Sequence, residues 1–229
     1  MAAPELIIFD CDGVLVDSEI IAAQVESELL TEAGYPISPD EIAERFTGLT
    51  WPSILLLVER EAGIPLSASL IDKSDRNLDV RLANEVEAIE DIAKVVSALK
   101  LPKCICSNSS NKRLELMLKR TGLYDLFAPD IFAAGEVGTK KGKPAPDVFL
   151  YAAEKFGADP KKTIVIEDSV HGIHGARAAG MRVIGFTGGG HTYPGHSDRL
   201  MEAGAETVIN RHRDLPAVIE AMSAWSEEV

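Results

Sequence analysis

The chain has 229 residues, of which 46% are hydrophobic and 26% charged, enough for one sizeable core or for a core with a small accessory domain. Its formal net charge is −13 and its sequence pI is about 4.8. A field of that sign repels nucleic-acid backbones and anionic membrane surfaces, so neither is expected as a partner. A phosphorylated ligand would meet the same repulsion, so a phosphate site here needs local positive charge from a metal ion and one or two Lys or Arg side chains.

Cysteine usage and the first residues both favour a reducing compartment. Cys11, Cys104 and Cys106 are odd in number and lie in or beside strand-like apolar runs, which argues against a disulfide framework. The first residues lack the basic segment and long apolar stretch of a secretion signal, and the longest hydrophobic run, residues 54–58, is too short to span a bilayer. We therefore expect a cytoplasmic protein; its oligomeric state stays open, a monomer included.

From residue 88 onward, short β-prone runs alternate with amphipathic helical segments. These runs, together with an earlier one, cover residues 6–9, 103–106, 130–132, 163–166, 182–186 and 207–209. Three of the helical segments are followed by a glycine at the position where helices commonly end. Strands that alternate with helices predict an α/β fold with a doubly wound parallel sheet of the Rossmann-like type.

The stretch between the first two strands has a different pattern, which is almost wholly helical. A helix is predicted over residues 16–33, and Ser38 and Glu41 form a capping box at the start of a second helix. A third helix is predicted over residues 52–62, and a fourth begins at Ser67. We therefore predict a small α-helical cap domain of residues 16–83 inserted into a core domain of residues 1–15 and 84–229.

Two aspartates directly after the first strand give the sharpest chemical signal. Asp10 and Asp12 follow residues 6–9, and Gly13 permits a tight turn there. Because ligands bind at the carboxyl ends of strands in a parallel α/β sheet, both carboxylates are expected at the mouth of a site. One carboxylate can attack phosphorus while the other transfers protons to the leaving oxygen and from water. The alternative is an exposed Asp-rich turn.

The order of four motifs resembles the haloacid dehalogenase superfamily. Residues 10–18, Asp-Cys-Asp-Gly-Val-Leu-Val-Asp-Ser, are similar to its first motif. Ser107 looks like the second motif, Lys143 in Gly-Lys-Pro-Ala-Pro-Asp like the third, and Glu167 with Asp168 like the acidic fourth motif. Within the superfamily, the pattern is similar to β-phosphoglucomutase-like and 6-phosphogluconate phosphatase-like members.

The resemblance implies a phosphoric monoester hydrolase that works through an aspartyl-phosphate. Asp10 would be the nucleophile and Asp12 the general acid and base, whereas a dehalogenase needs no second aspartate because chloride leaves unaided. Ser107 and its neighbour Asn108 would hold the transferring phosphoryl group. Lys143 would neutralise the nucleophile and the phosphate. A sugar phosphate or a phosphosugar acid such as 6-phosphogluconate is the expected substrate.

The same residues indicate a magnesium site. Oxygen ligands from Asp10, Asp168, Glu167 and the carbonyl of Asp12 suit a hard cation that keeps its waters, which favours Mg²⁺ over Zn²⁺. The histidines show no zinc-binding spacing. The stretch 188–190, Gly-Gly-Gly, lacks a nucleotide-binding pattern and is interpreted as a flexible loop at the site edge after the strand 182–186.

The predicted cap supplies candidates for substrate binding. Arg45 is assigned to an anionic group, and Thr50 and Trp51 lie near the inferred cap loop. Members similar to β-phosphoglucomutase carry a histidine in the first cap helix and a Lys-Gly-x-Ser-Arg loop, whereas this chain has Ala22 and a loop that begins at Thr47. A phosphatase is therefore favoured over the alternative, a phosphosugar mutase.

Each assignment has a simpler structural alternative. Lys143 is alternatively a solvated turn lysine, and Ser107 a helix cap. Glu167 and Asp168 are alternatively caps of the following helix, and Trp51 a packing residue of the cap. A non-catalytic binding module on the same fold is the alternative for the whole chain.

Overall fold

A computed structural model describes residues 3–46, 49–66 and 69–224 of the chain. Its centre is a six-stranded sheet in which every neighbouring pair of strands is parallel, in the order β3-β2-β1-β4-β5-β6. The strands are β1 (Leu6–Phe9), β2 (Lys103–Ser107), β3 (Ile131–Ala133), β4 (Thr163–Glu167), β5 (Arg182–Phe186) and β6 (Thr207–Ile209). The predicted fold class, a doubly wound parallel α/β sheet, is confirmed.

Side chains of each strand alternate between two buried faces, as the period of two in a strand requires. In β1, Ile7 and Phe9 belong to one hydrophobic cluster, and Leu6 and Ile8 belong to another. Helices cover both faces, so the buried middle residues of β1, β2 and β4 are apolar. The first four described helices lie between β1 and β2. The helices that follow them in the chain are α5 (Ile92–Ala98), α6 (Asn111–Arg120), α7 (Tyr124–Phe127), α8 (Asp147–Phe156), α9 (Val170–Ala178), α10 (His196–Glu202) and α11 (Leu215–Ala224).

The first four of the five described helices between β1 and β2 share a hydrophobic cluster of their own. They are α1 (Glu19–Glu32), α2 (Pro39–Phe46), α3 (Trp51–Ala62) and α4 (Ser69–Glu85). Leu30, Ile42 and Val58 are among the buried members of that cluster. Leu82 near the end of α4 and Val86 directly after that helix pack instead on the sheet, in the cluster of Ile7. The division into a core and a cap at residues 16 and 83 stays a prediction.

Local sequence signals at the helix ends correspond to observed contacts. The backbone N–H of Ser38 donates to Glu41 Oε2 at 2.9 Å, and the N–H of Glu41 donates to Ser38 Oγ at 3.2 Å, which is the predicted capping box. Gly63 follows α3 with a φ of +64°. Among the described helices, none combines the length and the apolar character needed to cross a bilayer.

Shortening a buried side chain of the helical cluster should destabilise the protein. We expect Leu30→Ala, at a position with 0% exposure, to lower the free energy of unfolding by about 2–5 kcal/mol, because it removes buried methyl groups and leaves a cavity. Leu56→Ala is the control, since Leu56 is 55% exposed on α3 and its loss should change stability by only about 0.5 kcal/mol. Urea unfolding measures both; equal effects would contradict the assignment of Leu30 to the core.

Candidate active site

The carboxyl ends of three neighbouring strands bring the predicted motifs together. Asp10 follows β1 directly, and its N–H donates to the carbonyl of Ile166 in β4 at 3.0 Å. Ser107 is the last residue of β2, and Glu167 is the last residue of β4. Because the chain runs from β1 to β2 on one side and resumes at β4 on the other, the site lies where the strand order reverses.

Lys143 lies at the centre of this edge of the sheet. Its Nζ donates to Asp10 Oδ1 at 2.7 Å and to Glu167 Oε1 at 2.6 Å, and the lysine side chain is only 4% exposed. Burial opposes the charged form of the lysine, yet the carboxylates of Asp10 and Glu167 raise the pKa of Lys143 far above its usual value. Lys143 is therefore a buried cation and not a solvated turn lysine.

Asp12 is held by three hydroxyl groups. Its Oδ2 accepts from Ser107 Oγ at 3.1 Å and from Ser109 Oγ at 2.8 Å, and its Oδ1 accepts from Ser18 Oγ at 2.8 Å. These bonds fix the direction of the carboxylate beside Asp10. Sequence reasoning assigned no role to Ser18 or Ser109, although Ser18 is the last residue of the first motif.

Asn108 connects the second motif to the third. Its Oδ1 accepts from the backbone N–H of Lys143 at 2.8 Å, and its Nδ2 donates to the carbonyl of Lys143 at 3.3 Å. Asn108 also lines the cavity described below. In this structure its amide therefore orients the loop that carries the lysine.

Three carboxylates at this edge form a group that suits a cation. Oxygen atoms of Asp10, Glu167 and Asp168 lie within 4.8 Å of one another, and all three residues are buried. Burial raises the pKa of Asp10 well above its usual range, and Lys143 offsets part of that rise. A cation bound among these three carboxylates would favour their ionised forms. Carboxylate oxygens are also the ligands that hard divalent ions prefer, so the group fits such an ion.

The oxygens of this group are not equally available. Glu167 uses Oε1 for Lys143, and its Oε2 accepts from the N–H and the Oγ of Ser169 at 3.2 Å and 3.0 Å. Asp10 and Asp168 have fewer protein partners. Ser169 in turn caps α9, because its Oγ accepts from the N–H of Gly172 at 3.0 Å. Glu167 is thus oriented on both sides by the protein.

His191 reaches the site from the loop after β5, and sequence reasoning missed it. Its Nε2 lies 2.9 Å from Asp168 Oδ2, with 9% exposure of the histidine side chain. Burial alone would lower the pKa of His191, but the hydrogen bond and charge of Asp168 raise it to about 9. The sequence does contain one signal for His191, because residues 188–190 are predicted to lie at the edge of the site and His191 is the next residue.

A cavity of about 850 Å³ opens from these groups toward the helices that precede β2. The wall at one end of the cavity is formed by the motif residues Asp10, Asp12, Ser107, Lys143 and Asp168. The opposite wall comes from α1, α2, α3 and α4, with apolar and acidic side chains. A volume in the range of about 300–1,000 Å³ is typical of sites for small organic ligands, so the cavity has room for more than a phosphate group.

The structure does not bring all the predicted cap residues to this cavity. Thr50 lines it, and Ala22 does so from α1. Arg45 instead pairs with Glu61 at 2.7 Å and donates to the hydroxyl of Tyr35 at 3.1 Å, outside the cavity lining.

Trp51 also lies outside the cavity lining. Its Nε1 donates to the carbonyl of Leu70 at 3.2 Å, and its ring packs on the helical cluster. These contacts correspond to the packing alternative for Trp51. Thr47 and Gly48 lie outside the described residues.

Comparisons with known proteins agree with this geometry. A family model described as haloacid dehalogenase-like hydrolase matches residues 4–180. The chain is 30% identical over 195 residues to the 6-phosphogluconate phosphatase of Escherichia coli (strain K12). The matched segment covers 85% of this chain and 87% of that protein. It is 64% identical to the solved structure of a conserved haloacid dehalogenase-like protein from Agrobacterium tumefaciens str. C58, with a TM-score of 0.93 over 96% of this chain and 100% of that one.

A second solved structure is a HAD family hydrolase from Deinococcus radiodurans R1 with bound phosphate and sodium. It is 35% identical, with a TM-score of 0.83 over 97% of this chain and 98% of that one. The predicted resemblance and the prediction of an enzyme, a phosphoric monoester hydrolase of this type, are both confirmed. The chain belongs to the haloacid dehalogenase-like hydrolase family.

Proposed function

We propose that this hydrolase removes the phosphate group from a small phosphorylated sugar metabolite, with Mg²⁺ and through an aspartyl-phosphate on Asp10. The observation that carries the proposal is the position of Lys143, whose ammonium joins Asp10 to Glu167 beside the second aspartate of the first motif. The related Escherichia coli protein, named as a 6-phosphogluconate phosphatase, supports the substrate class. The related structure with bound phosphate and sodium supports a site for an anion and a cation together.

In the first step, a carboxylate oxygen of Asp10 attacks phosphorus and the bond from phosphorus to the ester oxygen breaks. Lys143 is 2.7 Å from Asp10 Oδ1, so its charge stabilises the negative charge that gathers on the phosphoryl oxygens. Asp12 gives a proton to the leaving alkoxide, which then departs as an alcohol. The hydroxyl of Ser107 and the amide of Asn108 lie on the cavity wall beside these groups and hold the transferring phosphoryl group.

In the second step, water replaces the substrate alcohol. Asp12 takes a proton from that water, the water oxygen bonds to phosphorus, and the bond to the Asp10 oxygen breaks to release inorganic phosphate and the free carboxylate. The three hydroxyl groups around Asp12 keep its carboxylate facing the same point in both steps. One carboxylate therefore serves as acid and then as base.

Asp10, Asp168 and the backbone carbonyl of Asp12 would hold Mg²⁺, with Glu167 in the same acidic group. The bound ion supplies electrostatic stabilisation of the charge on the transferring phosphoryl group. His191 orients Asp168 by holding its Oδ2 at 2.9 Å, as partners of metal-binding carboxylates commonly do. Lys143 orients Glu167 in the same way.

The cavity wall favours hydrolysis over sugar-phosphate isomerisation. A mutase must protect its phosphoenzyme from water until a sugar hydroxyl attacks. The position on α1 that the resemblance associates with such control is Ala22, whose methyl group lines the cavity and can neither donate nor accept a proton. Water is therefore expected to take the phosphoryl group.

Replacing the nucleophile should abolish turnover. We expect Asp10→Asn to lose the aspartyl-phosphate entirely, and Asp12→Asn to slow both proton transfers by roughly 10²–10⁴-fold, the range typical of general acid–base catalysis. Single-turnover assays with labelled substrate measure label on the protein and phosphate release. Asp17→Asn is the control, since Asp17 is in the same motif but, among the described residues, its carboxylate accepts hydrogen bonds only from the N–H of Gly190. Normal turnover by Asp10→Asn would refute the mechanism.

Metal removal should abolish activity reversibly. We expect exhaustive chelation to stop phosphate release, Mg²⁺ to restore it, and Ca²⁺ to inhibit because it favours a larger and looser ligand shell. Calorimetry should show weaker Mg²⁺ binding by Asp168→Ala than by the wild-type protein. An unchanged affinity in that variant would mean that the ion binds elsewhere.

The protein should hydrolyse a sugar phosphate without isomerising it. With β-glucose 1-phosphate as substrate, we expect inorganic phosphate to appear and glucose 6-phosphate not to accumulate, because the position of the histidine is occupied by Ala22, which cannot transfer a proton. Phosphorus NMR of the reaction mixture measures both products at once. Faster formation of glucose 6-phosphate than of phosphate would favour the mutase.

A further inference from the structure

The cavity has an acidic wall opposite the catalytic groups. Glu19 and Glu26 line it from α1, and Asp75 and Asp79 line it from α4. Glu19 and Glu26 are two helical turns apart, so they lie on one face of α1 together with Ala22 between them. Two glutamates therefore face the space that is left for the part of a substrate beyond its phosphate.

The side chains of these two glutamates accept no hydrogen bond and form no ion pair within the part of the chain that the structure describes. Glu19 is attracted by the charge of His191, whereas the charge that acts on Glu26 is that of Glu19. Glu26 is half-buried, and burial, followed by the charge of Glu19, raises the pKa of Glu26 to about 8. Burial thus disfavours the ionised form of Glu26, and a ligand that donates hydrogen bonds or positive charge to its carboxyl group stabilises that form and lowers the pKa again.

Arg113, a further basic side chain on the cavity wall, is already paired with carboxylates. Arg113 on α6 donates from Nε to Asp79 Oδ1 at 2.9 Å and from Nη2 to Asp75 Oδ1 at 3.2 Å. His171 also lines the cavity and is exposed to solvent. An anionic group at the distal end of a substrate would have to compete with two aspartates for Arg113.

The charges that line the cavity are unequal in number. Among the described residues on its wall, acids outnumber bases seven to four: Asp10, Asp12, Glu19, Glu26, Asp75, Asp79 and Asp168 against Arg113, Lys143, His171 and His191. Lys143 and His191 belong to the phosphate end. A second anion on the substrate would therefore lie near Glu26, while Arg113 is already paired with two aspartates.

We propose that Glu26, with Glu19 beside it, selects substrates whose arm beyond the phosphate donates hydrogen bonds through hydroxyl or ammonium groups and carries no second anionic group. This inference rests on the proposed phosphatase function and narrows its substrates to neutral or aminated sugar and polyol phosphates. The apolar side chains of Phe46, Leu49 and Ile54 on the same cavity provide a surface for the carbon chain of such an arm.

A matched pair of open-chain substrates tests the inference. Sorbitol 6-phosphate and 6-phosphogluconate have the same length and differ at the terminal carbon, which is an alcohol in the first and a carboxylate in the second. At about pH 9, above the pKa of Glu26 of about 8, that carboxyl is ionised. There we expect the wild-type protein to favour the alcohol in kcat/KM by at least about tenfold, because like charges repel at a partly desolvated site. Equal or faster turnover of 6-phosphogluconate would overturn the inference and assign Arg113 to its carboxylate.

Neutralising the glutamate should remove the preference. We expect Glu26→Gln to bring the ratio of the two kcat/KM values close to one, because glutamine keeps the size of the side chain and loses its charge. Glu32→Gln is the matched control on the same helix, since Glu32 is exposed, pairs with Lys73 and does not line the cavity. It should keep the wild-type ratio. A wild-type ratio in Glu26→Gln would overturn the role of Glu26.

An aminated substrate separates the two kinds of donor. If glucosamine 6-phosphate is preferred over glucose 6-phosphate, and Glu26→Gln loses that preference, the ammonium charge contributes to recognition. Equal values for the two sugars assign recognition to the hydroxyl groups. Either result supports a donor-bearing arm, whereas a preference for the unaminated sugar that Glu26→Gln removes would contradict it.

Binding to an inactive variant separates this inference from the proposed reaction. Asp10→Asn binds ligands without turning them over, so calorimetry gives the ratio of dissociation constants for sorbitol 6-phosphate and 6-phosphogluconate directly. Equal affinities would count against the inference alone. Absence of phosphate release from p-nitrophenyl phosphate by the wild-type protein with Mg²⁺ would count against the phosphatase proposal, while a retained preference in binding would still support the role of Glu26.

Discussion

The contact of Lys143 with Asp10 and Glu167 is the interaction on which the arrangement of the site depends. Three carboxylates whose oxygens lie within 4.8 Å repel one another strongly where water is excluded. The lysine bonds at 2.7 Å and 2.6 Å offset that repulsion for two of them, and His191 does so for Asp168. Removing one partner of such a buried pair typically costs about 3–5 kcal/mol, whereas a well-packed apolar core in its place is often as stable. The cluster is therefore better explained by the chemistry of phosphoryl transfer than by stability.

The backbone around the cluster is shaped so that the acids can approach it. Gly13 has a φ of +72°, and a Cβ atom there would lie 2.0 Å from Asp168 Oδ2. A Cβ atom on Gly172 would lie 1.8 Å from Glu167 Oε1. The first position needs glycine for its left-handed conformation and for space, and the second needs it for space alone. The carboxylates that follow β1 and end β4 can therefore converge only because the loop at Gly13 and the first turn of α9 present bare backbone to them.

Much of the fold followed from local pattern, because strands buried on both faces are short apolar runs. β1, β5 and β6 match the predicted residues, while β3 begins and ends one residue later than predicted. The convergence of Asp10, Ser107 and Glu167 also followed, since parallel strands end at one edge. Positions set by contacts between distant segments did not follow. Arg45 faces Glu61 because of the packing of α2 against α3, and the closeness of His191 to Asp168 depends on a loop without regular periodicity.

Glu26 illustrates a further limit of sequence reasoning, because a charged residue on a helix is ordinarily interpreted as facing solvent. Only the closure of α1 over the sheet edge makes it part of a cavity that also holds Lys143. The two ends of that cavity then differ in what they bind: the catalytic end holds Lys143 and His191 and would hold a divalent ion, whereas the wall of α1 holds Glu26, whose side chain has no hydrogen-bond partner among the described residues. A ligand with an anion at one end and hydrogen-bond donors at the other satisfies both ends in only one orientation. That orientation places its phosphate beside Asp10, so the same acidic wall that selects the arm also positions the phosphorus for attack.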